Sequence, residues 1–315
     1  MRAMTSSSGS RHPWAIVLAG GEGSRLRPLT RLLAGDERPK QFCRVVGDAT
    51  LLDQTRRRTA IFVDPARTLL VVTRPHEPFY APLVRDVPAG CLVTQPANRG
   101  TAAAILYGTL RAARTAPAAT VVVTPSDHHV GNDRRLMEHV RRAGIAVKRR
   151  RDLVVLLGIE ATTPERDYGW IEAGDPVPGT DLRRVRRFWE KPSGADARTL
   201  WRRGCLWNSL VTVATVPALL ALFRRWMPAL SDAFAPLARP LSARDEAPVA
   251  ERVYAGLEDT SFSDAVLAAA PANLAVLPVT GVDWTDCGTP ERVGAVLARL
   301  NAPRERGPRG EVRTA

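Results

Sequence analysis

Short, uninterrupted apolar runs recur along the first half of the chain: WAIVLA at 14–19, LLVVT at 69–73, TVVVT at 120–124 and LVVLLG at 153–158. β-Branched residues fill them without the polar alternation of a half-exposed sheet, so each predicts a strand covered on both faces. Between them, apolar positions fall at helical spacing over residues 51–60, 101–113 and 134–147. Alternating strand and helix predicts an α/β fold with a mostly parallel sheet. The second half is less regular. Residues 170–172, 184–190 and 206–214 predict strands of a smaller, more antiparallel region, with helical segments from Pro217 onward. A last strand is expected at 274–279, and a closing helix at 290–300 opens with Pro290. No internal repeat or domain-sized linker interrupts this order, so residues 14–301 are expected to form one domain. The tails, 1–13 and 302–315, are rich in Ser, Gly, Pro and charge and are expected to be disordered.

Composition narrows the class. Of the 315 residues, 45% are hydrophobic and 24% charged, as in a soluble globular protein. No uncharged apolar run reaches the roughly 18 residues of a bilayer span. The longest, 210–223, is interrupted by Pro217. The amino terminus lacks an apolar signal region, which makes the cytoplasm the expected compartment. Cys43, Cys91, Cys205 and Cys287 form no CxxC pair, so neither a zinc knuckle nor a disulfide framework is expected. The formal charge is +13, of which the tails hold four. That excess suits anionic ligands or nucleic acid, but aromatics are only 6% and no groove-binding motif is present. Among 45 basic residues only Lys40, Lys148 and Lys191 are lysine. Lys148 sits in a charge run, whereas Lys40 and Lys191 stand where a compact ammonium can have a task that arginine cannot perform.

The segment LAGGEGSRLRPLT, 18–30, directly follows a strand. Gly20, Gly21 and Gly23 allow a tight turn that brings amide N–H groups against phosphate oxygens. It is not a dinucleotide fingerprint, because position 26 is Leu where a third glycine would fall, and no Gly-Lys-Ser/Thr follows to make a Walker loop. His128 and His129 have no His or Cys at ligand spacing, which argues against a transition-metal site.

Together with RPKQF at 38–42, this segment resembles the signature of the sugar-1-phosphate nucleotidyltransferases, most closely the mannose-1-phosphate guanylyltransferases. The likeness continues in order through QPANRGTAAAI (95–105), PSDH (125–128), YGWIE (168–172), FWEKP (188–192), WNS (207–209) and DWTDCGT (283–289). It implies a Rossmann-like, GT-A-like three-layer α/β/α fold with a mixed, mostly parallel central sheet. It also implies a reaction in which a sugar 1-phosphate attacks a nucleoside triphosphate, giving a nucleotide-sugar and pyrophosphate. Both reactants are anions, so charge must be neutralised and the reacting atoms aligned. The resemblance assigns that task to Arg25 and Lys40, and makes Asp127 and Asp286 the catalytic carboxylates that hold Mg²⁺.

Substrate contacts are implied at Leu18, Gly20, Gly21 and Gly23. Base recognition falls to Gln95, which offers a donor and an acceptor, with Gly100 and Thr101 opening the next helix. Sugar recognition falls to Gly169, Glu190, Lys191 and Asn208, whereas Trp170 and Trp189 are expected in the core. Two departures stand out. Gly100 occupies a position where guanylyltransferases usually have Asn, and a glycine there is similar to thymidylyl- and uridylyltransferase relatives. Leu210 follows WNS, where the family usually has Gly or Ala. The base therefore stays open between GTP with mannose 1-phosphate and a thymidylyl or uridylyl donor with glucose 1-phosphate. A non-catalytic nucleotide-sugar sensor is disfavoured, since Arg25, Lys40, Asp127 and Asp286 are all present. The implied partners are small molecules, with neither nucleic acid nor membrane, and a homodimer is a candidate assembly. Neither an isomerase domain after residue 300 nor a hexapeptide-repeat extension is expected.

Overall fold

A computed structural model describes residues 12–269 and 271–301. Of the two tails expected to be disordered, all but residues 12 and 13 lie outside the described residues. Eleven strands follow in chain order: β1 (Trp14–Leu18), β2 (Thr68–Thr73), β3 (Leu92–Gln95), β4 (Thr120–Pro125), β5 (His129–Val130), β6 (Val154–Glu160), β7 (Trp170–Pro176), β8 (Arg183–Trp189), β9 (Leu206–Thr215), β10 (Leu274–Val279) and β11 (Trp284–Thr285). Nine of them form one mixed sheet in the order β3-β2-β1-β4-β9-β6-β10-β8-β7. β3, β2, β1 and β4 are mutually parallel, as are β6 and β10. β9 runs antiparallel between β4 and β6, and β8 antiparallel between β10 and β7.

Alternation along the buried strands supplies both faces of the sheet. Val121 and Val123 join the core that includes Ile105 and Phe223 from two helices, Gly100–Thr115 and Val216–Trp226. Val122, Val155 and Leu157 face the opposite core, built with Leu136 and Val140 of the helix Asp133–Arg149. Successive side chains of a strand point to opposite sides, so fully apolar strands require helices on both. The helix Leu51–Thr59 starts from Thr50, whose hydroxyl accepts from the Asp53 N–H at 3.1 Å.

Two topological details position the cleft. β7 returns to pair with β9, Trp170 opposite Trp207 and Ile171 opposite Leu206, so the strands of the second half close on themselves at that end. β9 keeps β6 on one side, but on the other it pairs with β7 at 206–207 and with β4 at 212–215. The exchange of partners opens a gap between the end of β4 and the start of β7. A register shift in β6 between Leu156 and Gly158 lies opposite it.

Behind the first half, the helix Ala243–Ala255 is anchored by Glu246, which is 6% exposed. Its carboxylate accepts from Tyr107 Oη at 2.9 Å, Arg111 at 2.5 Å and Arg114 at 3.1 Å. Burial works to raise its pKa, but the two guanidinium groups and the phenol together hold it below the usual carboxylate range. Glu246→Gln should therefore lower stability at pH 7 by about 2 kcal/mol, because two partly buried guanidinium groups lose their counter-ion. A depressed carboxyl stabilises above its unfolded pKa of about 4.3, and that contribution disappears as pH falls through the lower folded value. The gap between the melting curves of the two proteins should narrow as pH falls below about 4.3; a gap unchanged from neutral to acid pH would contradict this assignment.

Candidate active site

The glycine segment leaves β1 at the carboxyl ends of the parallel strands. Gly20 has no room for a side chain, since a Cβ there would lie 2.5 Å from Thr73 Oγ1 and 2.7 Å from Gln95 Nε2. Gly23 adopts φ +60°, and its α-carbon faces the Lys40 backbone. Gly21 opens to free space. The loop is pinned by Gln41, whose Nε2 donates to the Gly21 carbonyl at 2.7 Å and to that of Ala19 at 3.3 Å. The Leu18 carbonyl accepts from both Ser126 N, at 3.1 Å, and Ser126 Oγ, at 2.7 Å. These bonds fasten the loop to the segment that carries Asp127.

Lys40 lies beneath the loop and is 7% exposed. Its ammonium stands 3.2 Å from Asp127 Oδ2 and donates to the carbonyls of Asp286, at 2.5 Å, and Cys287, at 3.4 Å. The two acidic positions, 159 residues apart in sequence, meet because β5 and β11 form a separate antiparallel ladder with His129 opposite Thr285. Asp127 precedes the one strand and Asp286 follows the other. A small cleft of about 180 Å³ is lined by Gly23, Ser24, Arg25, Lys40, Asp127 and Gly288. Burial works to raise the Asp127 pKa, but Lys40 and then His128 outweigh it and hold the carboxyl below its usual value. His128, packed edge-on against Trp284, is itself disfavoured as a cation by burial.

Asp286 is held from three sides. Its Oδ1 accepts from Tyr168 Oη at 3.1 Å, from the Gly288 N–H at 2.8 Å and from Arg292 at 3.1 Å. A Cβ at Gly288 would approach Asp286 Oδ2 to 2.4 Å, which explains the glycine of the DCGT turn. Burial and the Asp286 charge push the Tyr168 phenol upward, keeping it a donor. Arg292 also donates to Glu165 at 2.6 Å and lies over the Tyr168 ring, 4.4 Å from its centroid. Arg25, half exposed on the turn Ser24–Leu26, reaches Asp167 at 3.4 Å and Asp286 Oδ2 at 3.9 Å.

Across the gap in β9, Gly169, Glu190 and Asn208 converge. A Cβ on Gly169 would lie 3.0 Å from Glu190 Oε2 and 3.3 Å from Asn208 Cβ, and the Asn208 N–H donates to the Gly169 carbonyl at 2.8 Å. Burial raises the Glu190 pKa, with Lys191 opposing it at 3.6 Å. Lys191 is mostly exposed, with a left-handed backbone at φ 41°.

The residues implied in base recognition also make contacts within the fold. Gln95 is 1% exposed, and its Oε1 accepts from Tyr254 Oη at 3.0 Å, so its acceptor is taken within the fold. Gly100 begins the helix at φ +78°, and a Cβ there would meet the Thr260 carbonyl at 2.3 Å. Thr101 Oγ1 accepts from the Phe262 N–H at 2.8 Å instead of capping the helix, whose N-cap is Arg99. The close approach of 259–262 thus accounts for the glycine at 100, which no longer speaks for one base over another. Sequence reasoning missed Gln41, Tyr168 and Gly288 as site residues, although each lies inside a motif already quoted. Arg292 had no such signal, being one arginine on an amphipathic helix.

The two carboxylates are hard oxygen donors of the kind Mg²⁺ takes one or two at a time, leaving its other positions to phosphate and water. Among the described residues no group of three or more His, Cys, Asp or Glu gathers to hold a metal. No described helix is long and apolar enough to cross a membrane.

A glycine-lined cleft bearing Lys40 and Arg25 thus lies at the strand ends of an α/β fold, where such folds place their ligands. The description "Nucleotidyl transferase" matches residues 14–298. The xanthan biosynthesis protein XanB of Xanthomonas campestris is 33% identical over 69% of this chain and 45% of its own. The mannose-1-phosphate guanylyltransferase ManC of Salmonella typhimurium is 30% identical over 88% of this chain and 58% of its own. The chain therefore spans about half the length of the curated relatives it matches. A solved structure from Thermus thermophilus, described as a mannose-1-phosphate geranyltransferase, shares 33% identity and a TM-score of 0.77, covering 90% of this chain and 79% of that one. The chain belongs to the nucleotidyl transferase family.

Proposed function

We propose that the protein joins a nucleoside triphosphate to a hexose 1-phosphate, specifically GTP to mannose 1-phosphate, giving GDP-mannose and pyrophosphate. The observation that carries this reading is the buried Lys40 ammonium set between the Asp127 carboxylate and the Asp286 carbonyl, beneath a glycine loop. The names of the similar proteins, ManC above all, favour guanylyl transfer to mannose 1-phosphate.

An oxygen of the sugar phosphate bonds to the α-phosphorus, the bond to the bridging oxygen of pyrophosphate breaks, and that oxygen keeps the electron pair. Lys40 neutralises charge close to the reacting phosphate, and Arg25 swings from Asp167 and Asp286 onto the triphosphate. The loop amides around Gly21 and Gly23 receive phosphate oxygens. Glu190 and Asn208 accept and donate to sugar hydroxyls, and Lys191 balances the sugar phosphate. Asp127 and Asp286 would hold Mg²⁺, which supplies charge neutralisation and a template for the phosphates.

The test is a panel of GTP, dTTP, UTP, CTP and ATP against mannose, glucose and N-acetylglucosamine 1-phosphates, with pyrophosphate release as the readout. Turnover is expected for GTP with mannose 1-phosphate and absent without sugar phosphate. A panel with no productive pair would overturn the reading, and a different productive pair would replace its base and sugar.

A further inference from the structure

Three non-glycine residues among those described have a left-handed backbone, and each lies within two positions of an implied site residue: Lys191 after Glu190, Cys287 after Asp286, and Leu210 (φ 61°) two residues past Asn208. A branched side chain is disfavoured in that conformation, whereas glycine adopts it freely. Strain of this kind persists where surrounding structure enforces it and clusters at functional sites.

Leu210 lies where β9 exchanges β7 for β4 as its partner, so the backbone needs a bend there. A glycine would serve the bend alone. The leucine is the one partly exposed residue of a ten-residue strand that is otherwise buried. Its N–H donates to Asn208 Oδ1 at 3.1 Å, which occupies the amide oxygen and leaves the NH₂ to serve a ligand. Asn208 in turn lies against Gly169 and Glu190.

We infer that Leu210 determines sugar specificity: its left-handed turn orients the Asn208 amide, and its side chain is an apolar wall limiting the bulk of the sugar beside Asn208 and Glu190. This rests on the proposed function, because it assigns the sugar half of the same cleft. The wall admits a plain hexose 1-phosphate and discriminates against an N-acetylated one.

Leu210→Gly keeps the turn and removes the wall, so it separates bulk from backbone geometry. The ratio of kcat/KM for N-acetylglucosamine 1-phosphate to that for mannose 1-phosphate should rise about tenfold or more, the size of effect one misfitting group has in a pocket. The KM for GTP should stay within about twofold, since the nucleotide half is untouched. Leu210→Ala should move the ratio the same way by less, and carries the test if the glycine variant melts early. A ratio unchanged in folded variants, with the wild type active, would overturn the Leu210 assignment alone. A wild type that turns over no pair of substrates would remove the function itself, and this assignment with it.

Discussion

Lys40→Ala should lower kcat by about 10²–10³-fold, the loss typical of removing one preorganised charge donor from a reacting centre. The residue is buried, and its ammonium is the group that meets both halves of the site, Asp127 Oδ2 on one side and the backbone of 286–287 on the other. Lys40→Arg should not restore the rate. The ammonium is held 3.2 Å from Asp127 Oδ2 and by two backbone carbonyls aimed at a point charge. A planar fork has a different shape and different donor directions. Single-turnover rates beside melting curves decide the matter: if folded Lys40→Ala retains the wild-type rate, Lys40 has no part in the chemistry.

The second large effect is expected at the acidic pair. Asp127→Asn and Asp286→Asn should each raise the Mg²⁺ concentration for half-maximal rate by tenfold or more, as loss of one hard ligand from a site with few protein donors does. Removing divalent ions from the wild type should abolish pyrophosphate release. Arg292→Gln should act more mildly, because Arg292 orients the Asp286 carboxylate without lining the cleft. Metal-titration curves at saturating substrate distinguish these cases. Identical Mg²⁺ dependence in wild type and both aspartate variants would mean the carboxylates hold something other than the ion.

The elements that the sequence made legible are those whose signal is local. β1, β2, β4, β6 and β10 announce themselves as short β-branched runs, because a strand buried on both faces cannot tolerate polar alternation. β3 escaped notice: its alternating Leu92-Val93-Thr94-Gln95 at the sheet edge is too short and mixed to stand out. β5 and β11, two residues each, carry no periodic signal at all, yet they bring Asp127 and Asp286 together.

By itself the sequence determined the alternating α/β order, the glycine turn after β1 and the chemical identity of the groups around it, since propensity, turn chemistry and charge are properties of neighbouring residues. Only the tertiary structure decided which of those groups meet. It placed Lys40 between two distant acidic residues, tied Gly100 and Thr101 to 259–262 instead of leaving them open to a base, and bent β9 at Leu210 to make the cleft. Such contacts depend on how chain segments far apart in sequence pack, and no local pattern of side chains encodes that.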